Sequence, residues 1–156
     1  MGARMDLVAG DAREILTALG ADDREALADR TRFTAFLSMG GGLDPTWLDL
    51  FAEACRSVSG SGDPVDFIDA RRELDEPVDT GERTIERVDV GWVAAVGQIA
   101  DQDVDRVAGR WIDLLDEEFG SLSREDKPWI RQLAADLVAF ARSADRAPDV
   151  LFAWSL

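Results

Sequence analysis

The chain has 156 residues, 46% hydrophobic and 31% charged, with five tryptophans and seven phenylalanines; that length buries a core without staples, and so many aromatics exclude a disordered chain. Seventeen basic residues stand against 32 acidic ones, for a net charge of −15, a field that repels nucleic acid and anionic membranes and leaves basic proteins, cations and neutral molecules as partners. The lone cysteine, Cys55, excludes an intrachain disulfide.

The opening "MGARMDLVAG" has no apolar signal-peptide core, and Asp6 stands where a myristoylation signal needs Ser or Thr. No apolar run is long enough to span a bilayer, so the expected location is the cytoplasm. The pattern that follows reads as short and medium helices with little strand. Asp11 and Glu14 form an N-cap and capping-box pair before Ile15, Leu16 and Leu19, with Gly20 as the C′ residue. Asp22 and Glu25 repeat the device and open a helix over Arg24–Arg30. In "TRFTAFLSM" the spacing of Phe33, Phe36 and Leu37 predicts a helix, although the composition also suits a strand.

Asp44-Pro45 is a strong helix start. Trp47, Leu48, Phe51, Ala54, Cys55 and Val58 then fall on one face, with Asp49, Glu53, Arg56 and Ser57 opposite. "SGSGDP", 59–64, is the clearest loop and the one candidate hinge in an otherwise single domain, 1–156. Asp63-Pro64 should open a shorter helix bearing Phe67, Ile68 and Leu74. The β-branched "TIERV" predicts a short strand, and Gly91–Ile99 a brief helix. Asp101 caps a longer one, with Val104, Val107, Ala108, Trp111, Leu115 and Phe119 on its stripe and Gly120 at its end. The last helix opens near Ser123 or Lys127-Pro128 and carries Ile130, Leu133, Ala134, Leu137, Val138, Ala141 and Ala144; Pro148 closes it. "DVLFAWSL" is too apolar for a frayed tail and is read as a buried strand, with Thr84–Val88 as its partner. The fold class is therefore α+β, mainly α-helical, with a small sheet that includes the C-terminal segment.

The absent residue types say most about chemistry. There is no histidine, tyrosine or asparagine. That excludes Ser-His-Asp and Cys-His catalysis, and removes the usual ligands of zinc, haem, non-haem iron and copper. No cofactor is expected. What remains is carboxylate-pair hydrolysis, or Mg²⁺ or Ca²⁺ held by carboxylate oxygens. The best cluster is "DLLDEE", where Asp113, Asp116 and Glu117 share a helix side. A second is Glu73, Asp75, Glu76 and Asp79. Neither has the EF-hand pattern, and in so acidic a chain a solvated face is the simpler reading of both.

Gly40, Gly41, Gly42 and Asp44 invite comparison with a phosphate loop, but the lysine is missing and Asp44 places a negative charge at the helix N-terminus. This loop reads as a flexible turn, with a glycine-lined approach for a neutral ligand or peptide backbone as its binding reading. Lys127, the only lysine, sits in a first helical turn. Arginine for lysine and 22 aspartates against 10 glutamates resemble a GC-rich, bacterial-like genome composition. Cys55 lies on an apolar stripe as a core thiol, and Trp47, Trp111 and Trp129 read as core.

No catalytic residue can be named. The expected function is that of an acidic accessory or protein-interaction protein without catalysis, immunity-like in charge, whose partner is a basic protein. A carboxylate-dependent hydrolase, with or without Mg²⁺, is the alternative, and homo-oligomers are compatible with either.

Overall fold

The computed structural model describes residues 4–40, 45–60, 66–68, 83–120, 122 and 124–155. Along the chain run β1 (Arg4–Gly10), α1 (Ala12–Gly20), α2 (Arg24–Leu27), β2 (Ala35–Gly40), α3 (Pro45–Ser59), β3 (Arg83–Arg87) and α4 (Val90–Gly97). A 3-10 turn over Asp101–Asp103 leads to α5 (Val104–Phe119), followed by α6 (Asp126–Ala144) and β4 (Asp149–Ser155). The fold is α+β and mainly helical, with a four-stranded antiparallel sheet in the order β2-β1-β4-β3. Two units are distinguished by their internal contacts. One comprises Met1–Leu43, Ile68–Val90 and Ser143–Leu156, the other Asp44–Phe67 and Gly91–Arg142.

In the sheet unit the two central strands are β1 and β4. Met5 pairs with Trp154, Leu7 with Phe152 and Ala9 with Val150. Leu7, Val8 and Ala9 are fully buried, as are Leu151, Phe152 and Ala153, so both faces of these strands are covered. Strands buried on both faces read as continuous apolar runs, and "LVA" and "VLFA" are such runs. On one face Val8, Ile85, Leu151 and Ala153 pack with Ile15, Ala18 and Leu19 of α1 and with Leu27 and Phe33. Burying each large side chain of that set stabilises by roughly 1.5–3 kcal/mol. The C-terminal strand and its pairing with 84–87 are as the sequence predicts.

Several expectations are corrected here. β1 is a strand that the polar "RMD" start concealed. The segment predicted as helix over 31–39 holds β2 instead: Ala35, Phe36, Leu37 and Ser38 pair with Ala9, Val8, Leu7 and Asp6. Its helical spacing was incidental, and pairing with β1 satisfies its backbone groups better than an isolated turn could. The second N-cap is Asp23 rather than Asp22: the Asp23 carboxylate accepts from the Ala26 N–H at 3.1 Å, and Asp22 takes the left-handed conformation (φ 49°) that closes the turn before it. That helix stops at Leu27. Gly20 lies inside α1, and the Ala21 N–H donates to the Thr17 carbonyl as the cap.

The helical unit is built on two facing stripes. Leu48, Phe51, Ala54 and Cys55 of α3 are buried, and so are Val107, Ala108, Trp111 and Leu115 of α5. Phe51 and Trp111 meet edge-on at 4.7 Å between centroids. Both buried indoles are satisfied by backbone: Trp92 Nε1 donates to the Leu48 carbonyl at 3.0 Å, and Trp111 Nε1 to the Trp47 carbonyl at 2.9 Å. In α6 the whole predicted stripe, Ile130 to Ala144, is buried. α4 approaches α6 at Gly97, where a Cβ would sit 3.4 Å from the Ala141 backbone. α5 ends at Gly120, whose φ of 90° few other residues would adopt.

The helix expected after Pro64 is not helical over 66–68. There the Phe67 N–H donates to Asp49 Oδ1 at 2.8 Å, and Ile68 forms an isolated bridge with Val88. Residues 61–64 of the candidate hinge and Leu74 lie outside the described residues. Asp101 opens the 3-10 turn rather than α5 itself.

Candidate binding surface

Phe119 and Trp129 close or open apolar stripes in the sequence, but in the structure they are 47% and 42% exposed. Both contradict the core reading. A helical stripe stays buried only while its helix lies on a neighbour. Phe119 is the last residue of α5 and Trp129 lies in the first turn of α6, so each stands at a helix end.

Trp47, in the first turn of α3, joins them. It is half-buried, stands at 90° to buried Trp111 with centroids 6.1 Å apart, and contacts Phe119 at 6.2 Å and Trp129 at 6.3 Å. The bond from Trp111 Nε1 to the Trp47 carbonyl fixes the first turn of α3 in place. Aromatic side chains thus run from the core of this unit to its surface. Asp116 Oδ1 accepts from the Leu122 N–H at 2.6 Å and ties down the exit of α5.

The chain carrying these rings is acidic. Between residues 113 and 129 there are six carboxylates, Asp113, Asp116, Glu117, Glu118, Glu125 and Asp126, against Arg124 and Lys127. All but Asp116 of the six are exposed. The last turn of α5 has no basic residue, so Glu117 and Glu118 stand at the negative end of the helix dipole, where anions are unfavourable.

Of the residues proposed for metal binding, Asp113 and Glu117 are exposed on α5, and the Asp116 carboxylate is engaged with the Leu122 N–H. Among the described residues no group of three or more metal-capable side chains comes together. In the glycine loop, Gly40 ends β2 opposite Met5, while Gly41, Gly42 and Asp44 lie outside the described residues, as do Glu73, Asp75, Glu76 and Asp79. Cys55 is buried, and burial pushes its thiol up to about 12, away from the thiolate. Asp29 is held below the usual carboxylate range, first by the Thr31 hydroxyl and then by the Thr31 N–H, in an exposed turn.

A second polar constellation lies in the sheet unit. Asp6 is the one charged side chain buried completely among the described residues. Arg24 Nη2 reaches Asp6 Oδ1 at 3.3 Å and Ser38 Oγ at 3.0 Å, while the guanidinium carbon lies 5.6 Å from the Phe36 ring centre. Asp6 and Ser38 are register partners across β1 and β2. These contacts pin α2 to the sheet.

The chain matches no protein-family model, no curated protein and no solved structure. No described helix is long and apolar enough to cross a membrane. The exposure of Phe119 and Trp129 is not legible from the sequence, because stripe position alone does not decide burial. The usable signal was the place of each ring at a helix end, beside Gly120 or Pro128 and among carboxylates.

Proposed function

We propose that this protein is a non-catalytic interaction module that docks a basic protein on the surface formed by Trp47, Phe119 and Trp129. The observation that carries this reading is the exposure of two large aromatic side chains on a rigid aromatic base, in an acidic stretch of chain. Exposed apolar groups rimmed by polar ones mark interaction sites, and aromatic residues dominate binding energy where they are well supported. The carboxylates make the surface selective by repelling acidic partners and steering basic ones.

A hydrolytic reading needs two carboxylates converging in an apolar cleft, one of them shifted upward. The Asp29 carboxylate is shifted downward rather than upward and is exposed. The acidic interaction reading is therefore the better supported.

Panning a random peptide library against the full chain tests it. Enriched sequences should be basic, and a Trp129→Ala chain should lose them. Enrichment of neutral or acidic sequences, or equal capture by Trp129→Ala, would count against the proposal.

A further inference from the structure

Resting on that reading of the surface, we infer that its principal occupant is an arginine side chain of the partner, stacked on the exposed rings and held by the neighbouring carboxylates. The ring geometry comes first. Trp47 contacts Phe119 and Trp129 at 6.2 and 6.3 Å, within the roughly 4.5–7 Å of direct ring contact, so nothing inserts between these rings. Their planes are inclined at 31° and 64°. They form a faceted surface rather than a parallel slot, and a ligand stacks on one face at a time. A flat group with a charged edge suits that arrangement.

The charge pattern selects among such groups. Glu117 and Glu118 lie in the last turn of α5, which has no basic residue, and Glu125 lies four residues before Trp129, just ahead of α6. A neutral aromatic ligand would draw these carboxylates out of water without pairing them. A second copy of the chain would bring a like charge of −15 against the surface. A cation relieves both the carboxylate repulsion and the unfavourable end of the α5 dipole. Between the two cationic side chains, the guanidinium is planar and weakly hydrated. It stacks on a ring while its N–H fork reaches a carboxylate in its own plane; the ammonium of lysine is a compact, strongly hydrated charge.

Calorimetry and tryptophan fluorescence on the full chain test this with a short arginine–glycine peptide and a lysine–glycine peptide of equal length and charge, at moderate salt. The arginine peptide should bind about tenfold more tightly. Phe119→Leu and Trp129→Leu keep apolar bulk but remove the π face, and each should erase most of that preference. Glu117→Gln with Glu118→Gln, at exposed positions that do not threaten folding, should weaken both peptides several-fold. Equal affinity for the two peptides, unchanged in the leucine variants, would overturn the arginine inference and leave the basic-partner reading in place. Absence of binding by either peptide would also overturn it, and library enrichment of basic sequences would then show whether the broader reading survives.

Discussion

Cys55 illustrates how far a single side chain can be read. Its place on the α3 stripe predicts a core thiol, and it is 1% exposed with its thiol pushed from 9.0 to about 12 by burial. Native protein should therefore react slowly with a thiol reagent and denatured protein quickly. The linkage has a definite sign. The folded-state value lies above the unfolded one, so the contribution to stability is complete below pH 9.0 and is lost between there and about 12. Within that window the slope contributed by this group is about 1.4 kcal/mol per pH unit, and urea denaturation of wild type against Cys55→Val should expose the difference. Asp6 was illegible by the same logic: composition gives no warning that an aspartate in "RMDLVAG" is fully buried. Asp6→Ala should destabilise by roughly 1–3 kcal/mol, less than for a fully buried pair, because Arg24 is 35% exposed and can turn toward water. Chemical denaturation measures it.

Elements were legible where a period was long and its ends were capped. α6 and its seven buried stripe residues follow directly from 3.6-residue spacing, as does the α1 cap, where Asp11 accepts from the Glu14 N–H at 3.1 Å. Short segments were not legible. Six residues of β2 fit helical and strand templates equally well, and only the presence of β1 decides between them. The surface is half legible: the acidic run containing Asp113, Asp116 and Glu117 stands out in the sequence, whereas the exposure of Phe119 and Trp129 near it does not. The end of α5 offers a test with two opposite readouts. Glu117→Lys or Glu118→Lys replaces an anion by a cation at the negative helix end and should stabilise by about 0.3–1 kcal/mol. The same change should lower affinity for basic peptides. Thermal denaturation and calorimetry on one variant check both, and a variant that gains stability without losing affinity would separate the acidic run from binding.

At the level of the molecule, the sequence conveyed an α+β class and the pairing of the last strand with 84–88, but not the four-stranded order. That order depends on contacts between positions far apart in the chain, which no local pattern encodes. Removing 151–156 deletes most of the strand that pairs with both β1 and β3 and uncovers Val8 and Ile85. Such a truncated chain should lose cooperative unfolding and aggregate, as circular dichroism and size-exclusion chromatography would show.

The order β2-β1-β4-β3 also sets a timetable. Met5 is made 149 residues before its partner Trp154. At about 5–20 residues per second the delay is roughly 7–30 s. Throughout it, β1 has only β2 beside it and presents an apolar "LVA" edge to whatever else is being synthesised. The ladder between β1 and β4 spans nearly the whole chain, so closing it carries the largest loop entropy in the sheet. Pulse-labelled hydrogen exchange during refolding should find amides of α3 and α5 protected first and those joining β1 to β4 last. The net charge of −15 over the whole chain opposes edge pairing between copies.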